Sequence, residues 1–444
     1  MIAAGGRRRV RAAWPALAGL GALALAMSAC SSGTEGQTGD GTAPTEFSYL
    51  TNVENTTIKT ELENLAKGAC SGAQQALPLK VETVPQTQLD QKLQLLAGQD
   101  ALPVQYAAGN APALTVTLEK GGNVLDFEKA FTELGVIDQI EPAAISTIRS
   151  LYGGKFNVLP YEYNIEGIWY NKKLFADNGI QAPATWDELV AAAGKLQAAG
   201  VTPFSASGEQ GWPITRLISS YLQRDVGPDA LQKVQDGSAK LTDPQYVKAA
   251  QAVADLGAKG YFGEGVGSID YDTAISQFLT GKAGMLYMGS WVLADMNDTS
   301  KNQIGSDNIG FMPFPAVAGG KGSIDQLTAN VGLPMTVNAK RYDGKDGKVG
   351  AWLTCIAENY GSAALKDQQS ISGFKTTTDV SGLSPLTEEV RTQIANTKQS
   401  TIWFEALFNT KATTTSQTNA APLVTGGMSA ADFMAKVQTD NSGS

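Results

Sequence analysis

The amino-acid sequence predicts an α/β protein with at least two lobes. Its 444 residues are too many for one compact hydrophobic core. Hydrophobic residues make up 43% of the chain and charged residues 17%, a balance typical of globular rather than disordered proteins. Short β-branched and aromatic runs alternate with helical periodicities, and such βαβ units build parallel, doubly wound sheets. We therefore expect sheets flanked by helices, with a ligand crevice at the strand ends.

The N-terminal segment predicts export. Arginines at 7, 8, 9 and 11 precede an apolar run at 12–26 and then Met27-Ser28-Ala29-Cys30, an order typical of a secretion signal. Small residues before Cys30 resemble the bacterial lipobox, which implies a signal peptide at 1–29 and diacylglycerol on the Cys30 sulfur. Residues 30–45 predict a flexible tether rich in Gly, Ser and Thr. The alternatives are an ordinary secretory signal and a retained membrane helix, although the apolar run is shorter than the ~20 residues that span a bilayer.

The first α/β unit follows the tether. Phe47 and Tyr49 alternate with polar residues as in a strand, and Ile58, Leu62 and Leu65 recur at helical spacing. In order, the predicted elements are a strand at 46–53, a helix from Asn55 or Thr56 to Gly68, a strand at 79–84, a helix at 86–99 and a strand at 102–107. The loops at the strand ends contain Asn52, Glu54, Asn55, Gly109 and Asn110.

A second α/β unit begins within residues 156–189. Its first part is strand-like and rich in aromatic and amide side chains, and Gly179 ends a short helix. Thr185 and Glu188 form a capping box that opens the next helix. We expect Trp169 and Trp186 to pack in the core. The predicted elements are a strand at 159–170, a short helix from Asn171, a helix at 186–199 and a strand at 201–205, followed by a polar loop at 207–212.

The remaining elements continue the same alternation. Residues 283–291 predict a strand that turns sharply into a helix at Trp291, because Gly289 and Ser290 interrupt an apolar run. Further strands are predicted at 309–315 and 331–337. Helices are predicted at 214–222, 246–258, 272–280 and 347–358, and the C-terminal third is expected to be helical with polar loops.

The residue types present exclude several kinds of chemistry. The sequence has no histidine, so a Ser-His-Asp triad and a Cys-His pair are impossible. It contains no Cys-x-x-Cys, HExxH, Walker A or EF-hand pattern, and we expect no metal and no cofactor. The formal net charge of −9 lacks the basic footprint that nucleic acids need. Glu162 with Glu166, or Glu54 with Glu209, could serve a glycoside hydrolase, but their spacing marks no acid/base pair.

Three stretches resemble a known protein family in the same order. They are LPY at 159–161 with WYNKKLFADNGIQAPATWDEL at 169–189, FLTGKAGMLYMGSW at 278–291 and IGFMPFPAVAGG at 309–320. Together they resemble the extracellular solute-binding proteins of carbohydrate ABC transporters, over nearly all of the mature chain. The resemblance implies a non-enzymatic sugar binder.

The family resemblance also implies an architecture and a set of partners. It implies a two-lobed periplasmic-binding-protein fold of type II, with lobe 1 at 46–156 plus about 323–372 and lobe 2 at 157–322 plus about 373–444. The chain would cross between the lobes near 157–159, 315–328 and 372–377. An oligosaccharide would bind between lobes that close by hinge motion. The partners would be ABC permease subunits, and the protein would be a monomer held by lipid at the outer face of the cytoplasmic membrane.

Aromatic and polar residues near the predicted strand ends are the candidate ligand contacts. Ring faces of a sugar suit flat aromatics, and its hydroxyls suit amides and carboxylates. Trp291 matches the Trp of the family's G-S-W and is the strongest candidate, followed by Trp212 in its polar loop. The others are Glu54, Asn110, Tyr161, Glu162, Tyr163, Asn164, Gln210, Asn330, Phe374 and Trp403. Caps, turns, hinge positions and core packing are the alternative roles, and core packing is favoured for Trp403.

Two questions stay open in the sequence. Cys70 and Cys355 could form a disulfide in an exported protein, or be two separate buried thiols. The ligand could also be a polyamine, a peptide or a phosphate ester, bound for transport or for sensing. A polyamine needs several cleft carboxylates, and a phosphate needs a cleft arginine or helix N-termini. The mixture of aromatic and amide residues favours a neutral sugar.

Overall fold

The computed structural model describes residues 43–109, 112–397 and 399–442. Its strands are β1 (Phe47–Asn52), β2 (Leu79–Val84), β3 (Gln105–Ala107), β4 (Asn164–Asn171), β5 (Thr202–Ser205), β6 (Ala283–Gly289), β7 (Ile309–Met312), β8 (Gln326–Asn330), β9 (Met335–Val337) and β10 (Gln399–Thr401). Its helices are α1 (Thr56–Lys67), α2 (Ser71–Ala76), α3 (Gln86–Gly98), α4 (Pro112–Lys120), α5 (Phe127–Leu134), α6 (Pro142–Leu151), α7 (Lys172–Asp177), α8 (Trp186–Ala198), α9 (Trp212–Asp225), α10 (Ala230–Gln235), α11 (Pro244–Ala258), α12 (Tyr271–Leu279), α13 (Leu293–Asn297), α14 (Lys348–Gln368), α15 (Pro385–Asn396), α16 (Thr410–Val424) and α17 (Ala430–Ser442).

Some sequence predictions fall outside these ranges. They are the signal peptide at 1–29, lipidation at Cys30, most of the tether and the candidate contact Asn110. Within the described ranges, no helix combines the length and apolar character needed to cross a membrane.

The first sheet has four strands in the order β2-β1-β3-β9. β1 pairs in parallel with β2 and β3, and β9 pairs antiparallel with β3. Helices α1 to α3 carry the chain between the parallel strands, so the predicted βαβαβ unit is present. Asn55 caps α1, because its side chain accepts the N–H of Ile58 at 3.3 Å. We call this sheet, with helices α1–α6 and α14, lobe 1.

The second sheet has six strands: five lie in the order β10-β8-β4-β6-β5, and the sixth, β7, pairs with β4. β4 runs antiparallel to β6, β7 and β8, whereas β5 and β6 are parallel. The predicted capping box opens α8: Thr185 Oγ1 accepts the N–H of Glu188 at 3.3 Å, and Glu188 Oε2 accepts the N–H of Thr185 at 3.1 Å. We call this sheet, with helices α7–α13 and α15–α17, lobe 2.

The chain enters lobe 2 slightly later than the sequence suggested. The N–H of Leu159 donates to the carbonyl of Met335 at 2.7 Å, so this residue still pairs with lobe 1. Strand β4 then begins lobe 2 at Asn164.

The return to lobe 1 is also later than the expected crossing at 315–328. β8 pairs with β4 and β10 in lobe 2, so residues 323–330 do not belong to lobe 1. The crossing follows Asn330, and β9 begins only at Met335, since Pro334 has no N–H for a ladder. The predicted strand at 331–337 is therefore a connection over its first four residues.

The last crossing follows the segment near Phe374. Phe374 forms a β-bridge with Ile140 of lobe 1, and the N–H of Gly373 donates to the carbonyl of Pro160 at 2.9 Å. Helix α15 then packs in lobe 2, where Val390 is buried in the same cluster as Trp169.

Tryptophan packing and one disulfide stabilise the two lobes. Trp169 is fully buried in lobe 2, and Trp186 packs against Tyr221 and Phe314 at ring distances of 5.1 and 5.6 Å. Cys70 and Cys355 are bonded, with their Cα atoms 5.7 Å apart. The possible disulfide is thus present, and it ties the start of α2 to α14 within lobe 1.

Candidate ligand-binding site

A cleft of about 1020 Å³, partly open to solvent, lies between the two lobes. Lobe 1 contributes Asn52, Glu54, Asn55, Thr56, Thr57, Gln86, Gly109, Pro112 and Tyr152 to its lining. Lobe 2 contributes Trp212, Arg216, Tyr271, Trp291, Asp295, Asn330, Trp403, Glu405 and Gln417. The connecting segments contribute Glu162, Gly332, Leu333 and Pro334.

The lobe 2 side of the cleft is a strip of flat groups that we call the aromatic wall. It consists of Tyr271, Trp291, Trp212, Arg216 and Trp403. The ring of Trp212 lies 5.8 Å from that of Trp291 and 5.9 Å from that of Tyr271. The guanidinium carbon of Arg216 lies 5.1 Å from the ring centres of both Trp212 and Trp403. The wall therefore runs without a gap from Trp291 to Trp403.

The turn after β6 positions Trp291. The strand ends at Gly289, and the indole of Trp291 folds back over this residue, where a Cβ would overlap the ring. Ser290 Oγ donates to Asn164 Oδ1 at 2.9 Å and fixes the turn against β4. Because glycine leaves this space free, the ring can lie half-buried at the cleft surface.

The start of α9 positions Trp212. Gly211 precedes it with φ of 72°, and a Cβ at Gly211 would overlap the backbone carbonyl of Gln417 on α16. Glycine therefore allows both the positive φ and the close approach of the two helices. The indole N–H of Trp212 donates to Gln86 Oε1 across the cleft at 3.3 Å, so the two lobes are in contact here.

The lobe 1 side of the cleft is polar. Asn52 Oδ1 accepts the N–H of Asn55 at 2.7 Å, which shapes the loop after β1. The Glu54 carboxylate accepts the N–H of Gln86 at 3.0 and 3.2 Å. Burial raises the pKa of Glu54, the hydrogen bond from Gln86 opposes the rise, and neighbouring carboxylates on lobe 2 add to it. We call Asn52, Glu54, Asn55 and Gln86 the polar wall.

Glu162 lies between the two walls at the floor of the cleft. Its side chain is almost buried, and Asn164 Nδ2 donates to Glu162 Oε2 at 3.1 Å. Burial raises the pKa of Glu162 to about 7, against the smaller opposing effect of the Asn164 hydrogen bond. Near neutral pH this carboxyl can therefore accept a hydrogen bond when ionised and donate one when protonated.

A buried ion pair underlies the aromatic wall. Arg216 Nη1 pairs with Glu166 Oε1, and the Glu166 side chain is completely buried. Asn330 Nδ2 also donates to Glu166 Oε1 at 2.7 Å. Glu405, a second buried carboxylate, accepts hydrogen bonds from the hydroxyls of Thr215 and Ser416. Burial raises the pKa of Glu405, and the nearby charge of Arg216 opposes that rise.

The structure brings only part of the predicted candidates into the cleft. Those that line it are Trp291, Trp212, Glu54, Glu162, Asn330 and Trp403. Trp403, for which the sequence favoured core packing, is mostly buried but presents a face to the cleft.

The other described candidates lie behind or beside the cleft. Tyr161 is fully buried, and its hydroxyl donates to Gln105 Oε1 at 2.7 Å. Asn164 and Gln210 are buried and bond to Ser290 and Ser207. Tyr163 and Phe374 line a separate groove beside the crossings. The alternation along 161–164 therefore turns Glu162 into the cleft and Tyr161 into lobe 1.

Several lining residues were not identified from the sequence. Arg216 and Asp295 each lie one helical turn after a cleft tryptophan, and i, i+4 neighbours share a helix face. This spacing could have found both. Tyr271 and Glu405 carry no comparable local signal, because the fold alone brings them to the aromatic wall. Among the described residues, no three Asp, Glu or Cys side chains are grouped as metal ligands.

Comparisons with known proteins show the family and the fold of this chain. A family model described as bacterial extracellular solute-binding protein matches residues 78–359. A multiple sugar-binding protein of Streptococcus mutans is 28% identical over 210 residues, which cover 45% of this chain and 48% of that protein. An sn-glycerol-3-phosphate-binding periplasmic protein of Yersinia pestis is 29% identical over 234 residues, which cover 48% and 50%. The chain thus spans about half the length of the curated relatives it matches.

Solved structures resemble the chain over about 90% of its length. A chitin oligosaccharide binding protein superimposes with a TM-score of 0.79 at 27% identity. The match covers 90% of this chain and 100% of that protein.

Proposed function

This chain belongs to the bacterial extracellular solute-binding proteins, and we propose that it captures an oligosaccharide between its lobes for delivery to an ABC permease. The observation that carries the proposal is the pairing of an aromatic wall with a polar wall across one cleft. A sugar ring has weakly apolar faces and a rim of hydroxyl groups. The aromatic wall suits the faces, and the amides and carboxylates opposite suit the rim.

The extent of the aromatic wall supports an oligosaccharide over a single sugar. Trp291, Trp212, Arg216 and Trp403 follow one another at 5.1 to 5.8 Å, which offers more than one stacking surface. The relatives named for multiple sugars and for chitin oligosaccharides support the same class of ligand.

The remaining parts of the proposal concern location and partners. Export followed by lipidation at Cys30 would hold the protein at the outer face of the cytoplasmic membrane, as a monomer. The closed form would be recognised by permease subunits that work with an ATPase, and the protein itself would catalyse no reaction. A role in sensing rather than transport would use the same cleft, and neighbouring permease genes would distinguish the two.

Thermal unfolding tests the proposal directly. The described residues between 43 and 442 form one compact unit, so the measurement can use the chain without its first 30 residues. The midpoint is measured against mono- and oligosaccharides, amines, peptides and phosphate esters. A ligand that binds only the folded state raises the unfolding midpoint, and the rise grows with the ratio of the ligand concentration to Kd. We expect a shift with one sugar family.

Trp291→Ala should remove most of that shift. Loss of this stacking surface in the aromatic wall is expected to weaken binding at least about tenfold while the fold is kept. Trp186→Ala is the matched control, because it truncates a tryptophan that packs against Tyr221 and Phe314 outside the cleft. It should lower the midpoint without ligand and leave the shift intact.

Two results would contradict the proposal. A shift with amines, peptides or phosphates but with no sugar would replace the ligand class. Release of reducing ends from an oligosaccharide would identify a glycoside hydrolase instead.

A further inference from the structure

We infer that Glu166 sets the charge selectivity of the cleft: by holding Arg216 in a buried ion pair, it makes the cleft accept saccharides without anionic groups and exclude anionic solutes. This inference rests on the proposed function, since it specifies the ligand of the same cleft. The choice between neutral and anionic ligands matters here, because one relative is named for an anionic phosphate ester, sn-glycerol 3-phosphate.

The lining of the cleft is predominantly acidic. Among the described residues, its ionisable carboxylates are Glu54, Glu162, Asp295 and Glu405, and its one cationic side chain is Arg216. Lys301 lies outside the lining and pairs with Asp295 at 2.5 Å. Carboxylates accept hydrogen bonds from sugar hydroxyls but repel phosphate and carboxylate groups. An anionic solute would therefore need a strong cationic receptor here.

The positive charge of Arg216 is already balanced before a ligand binds, although its Nε–H has no hydrogen-bond partner among the described residues. Its guanidinium pairs with Glu166, whose side chain is completely buried. Tyr287 donates to Glu166 at 3.4 Å and Asn330 donates at 2.7 Å, so the carboxylate is held in place. Glu405 is also buried near Arg216 and feels its charge. Two carboxylates thus face a single guanidinium before any ligand arrives.

The starts of helices α9 and α1 at the cleft do not replace the arginine. α9 begins at the cleft, but the N–H of Trp212 donates to Gln210 O at 2.9 Å, Pro213 has no N–H, and the N–H of Ile214 donates to Gly211 O at 3.1 Å. A helix start binds anions through free amides, and these are used. α1 also begins at the cleft, but Glu54 lies beside its cap and places a carboxylate there.

Arg216, with its charge balanced by Glu166, has a position in the aromatic wall that suits stacking and hydrogen-bond donation. Its guanidinium lies between the rings of Trp212 and Trp403, 5.1 Å from each ring centre. A guanidinium is planar, stacks on aromatic faces and presents several N–H donors in a fixed geometry. With its charge balanced by Glu166, it extends the wall and can donate to hydroxyls. Glu166 acts through Arg216 and is a positioning residue.

The wild-type protein gives the first test. Binding is measured by calorimetry for neutral di-, tri- and tetrasaccharides and for two anionic probes, trigalacturonate and sn-glycerol 3-phosphate. We expect a neutral oligosaccharide to bind at least about 100-fold more tightly than either anion, because an unpaired like charge in a cleft costs several kcal/mol.

Glu166→Gln gives the second test. It keeps the shape of the side chain and removes the charge that balances Arg216. We expect the affinity ratio of neutral to anionic probe to fall at least about tenfold, with the gained anion binding lost again at high salt. Glu405→Gln should change the ratio in the same direction and serves if the first variant does not fold. Glu128→Gln is the matched control, because it removes one charge from an exposed pair with Arg149 and should leave the ratio unchanged.

Each outcome decides the matter. Anionic probes that bind the wild type as tightly as neutral saccharides overturn the inference and leave a solute-binding protein. Glu166→Gln and Glu405→Gln proteins that both fold and keep the wild-type ratio overturn the role of the buried carboxylates. Failure of every neutral and anionic probe to bind overturns the proposed function, and the inference with it.

Discussion

Glu61 of α1 is a buried carboxyl outside the cleft, and it should make stability depend on pH. The residue is fully buried in lobe 1. Burial raises its pKa from 4.5 to about 7, Asp367 adds to the rise, and Asn64 opposes it. The folded protein therefore binds this proton more tightly than the unfolded chain does. The stabilisation is fully present below about pH 4.5 and is lost as the pH rises through about 7.

Glu61→Gln should flatten this dependence. We expect the wild-type free energy of unfolding to decrease between pH 5 and pH 8. In the variant, this decrease should be smaller by about 1 to 3 kcal/mol. Some dependence remains, because the pKa of Glu162 is raised in the same direction. Denaturant unfolding at several pH values measures the slope. Glu63→Gln, at a partly exposed position on the same helix that pairs with Lys59, is the control. An unchanged slope in Glu61→Gln would contradict the assignment.

At the residue scale, sequence identified cleft residues where a strand end or a family motif marked them. Glu54 follows β1, and Trp291 follows Gly289 and Ser290 at the end of β6. The sequence could not choose between Tyr161 and Glu162, because alternation separates the two faces without saying which one meets the ligand. Glu405 was missed since its neighbours in the cleft come from distant parts of the chain.

At the scale of elements, the turn from β6 into α13 controls the aromatic wall. The indole of Trp291 occupies the space that a Cβ of residue 289 would need. Gly289→Ala should therefore push the ring out of the wall, and we expect ligand affinity to fall about three- to tenfold. The overall fold should survive, because the Trp291 ring is half-buried and can move toward solvent.

A double variant isolates the cause of that loss. If Gly289→Ala acts through Trp291, adding it to Trp291→Ala should weaken binding no further. Gly98→Ala is the control glycine, because a Cβ there meets no atom within 4 Å. Calorimetric titration with the best sugar measures the affinity of these four variants and of the wild type. A further loss in the double variant would show that Gly289 acts on the site by another route.

Helices and strands with strong local sequence signals were predicted correctly. A strand that forms because distant strands pair with it was not predicted. The capping box at Thr185 and the βαβαβ unit of lobe 1 were both read from local pattern and are present. β8 was not predicted, since Gln326–Asn330 is short and polar. It is a strand because β4 and β10 pair with it on both sides. The same pairing moved the second crossing to a later position.

At the scale of the whole molecule, two lobes and a cleft were predictable, and their contact was not. Chain length and the α/β alternation require more than one core, and the family resemblance implied the hinge. The hydrogen bond from Trp212 to Gln86 joins residues of different lobes at 3.3 Å. No local sequence pattern predicts this bond. Because it spans the cleft, this bond can exist only while the lobes are together.

This contact should stabilise the ligand-bound form and not the ligand-free fold. If the lobes close on the ligand, the Trp212–Gln86 bond forms on binding. Gln86→Ala and Trp212→Phe each remove it, and their combination forms a double-mutant cycle. In ligand affinity we expect a coupling of about 0.5 to 1.5 kcal/mol, the net worth of one hydrogen bond. In the free energy of unfolding without ligand we expect no coupling, and small-angle scattering should show contraction on adding ligand. The opposite result would be coupling in the ligand-free unfolding free energy, no coupling in ligand affinity and no contraction in scattering. It would mean that the lobes are already together before the ligand arrives. Ligand entry rather than lobe closure would then limit capture.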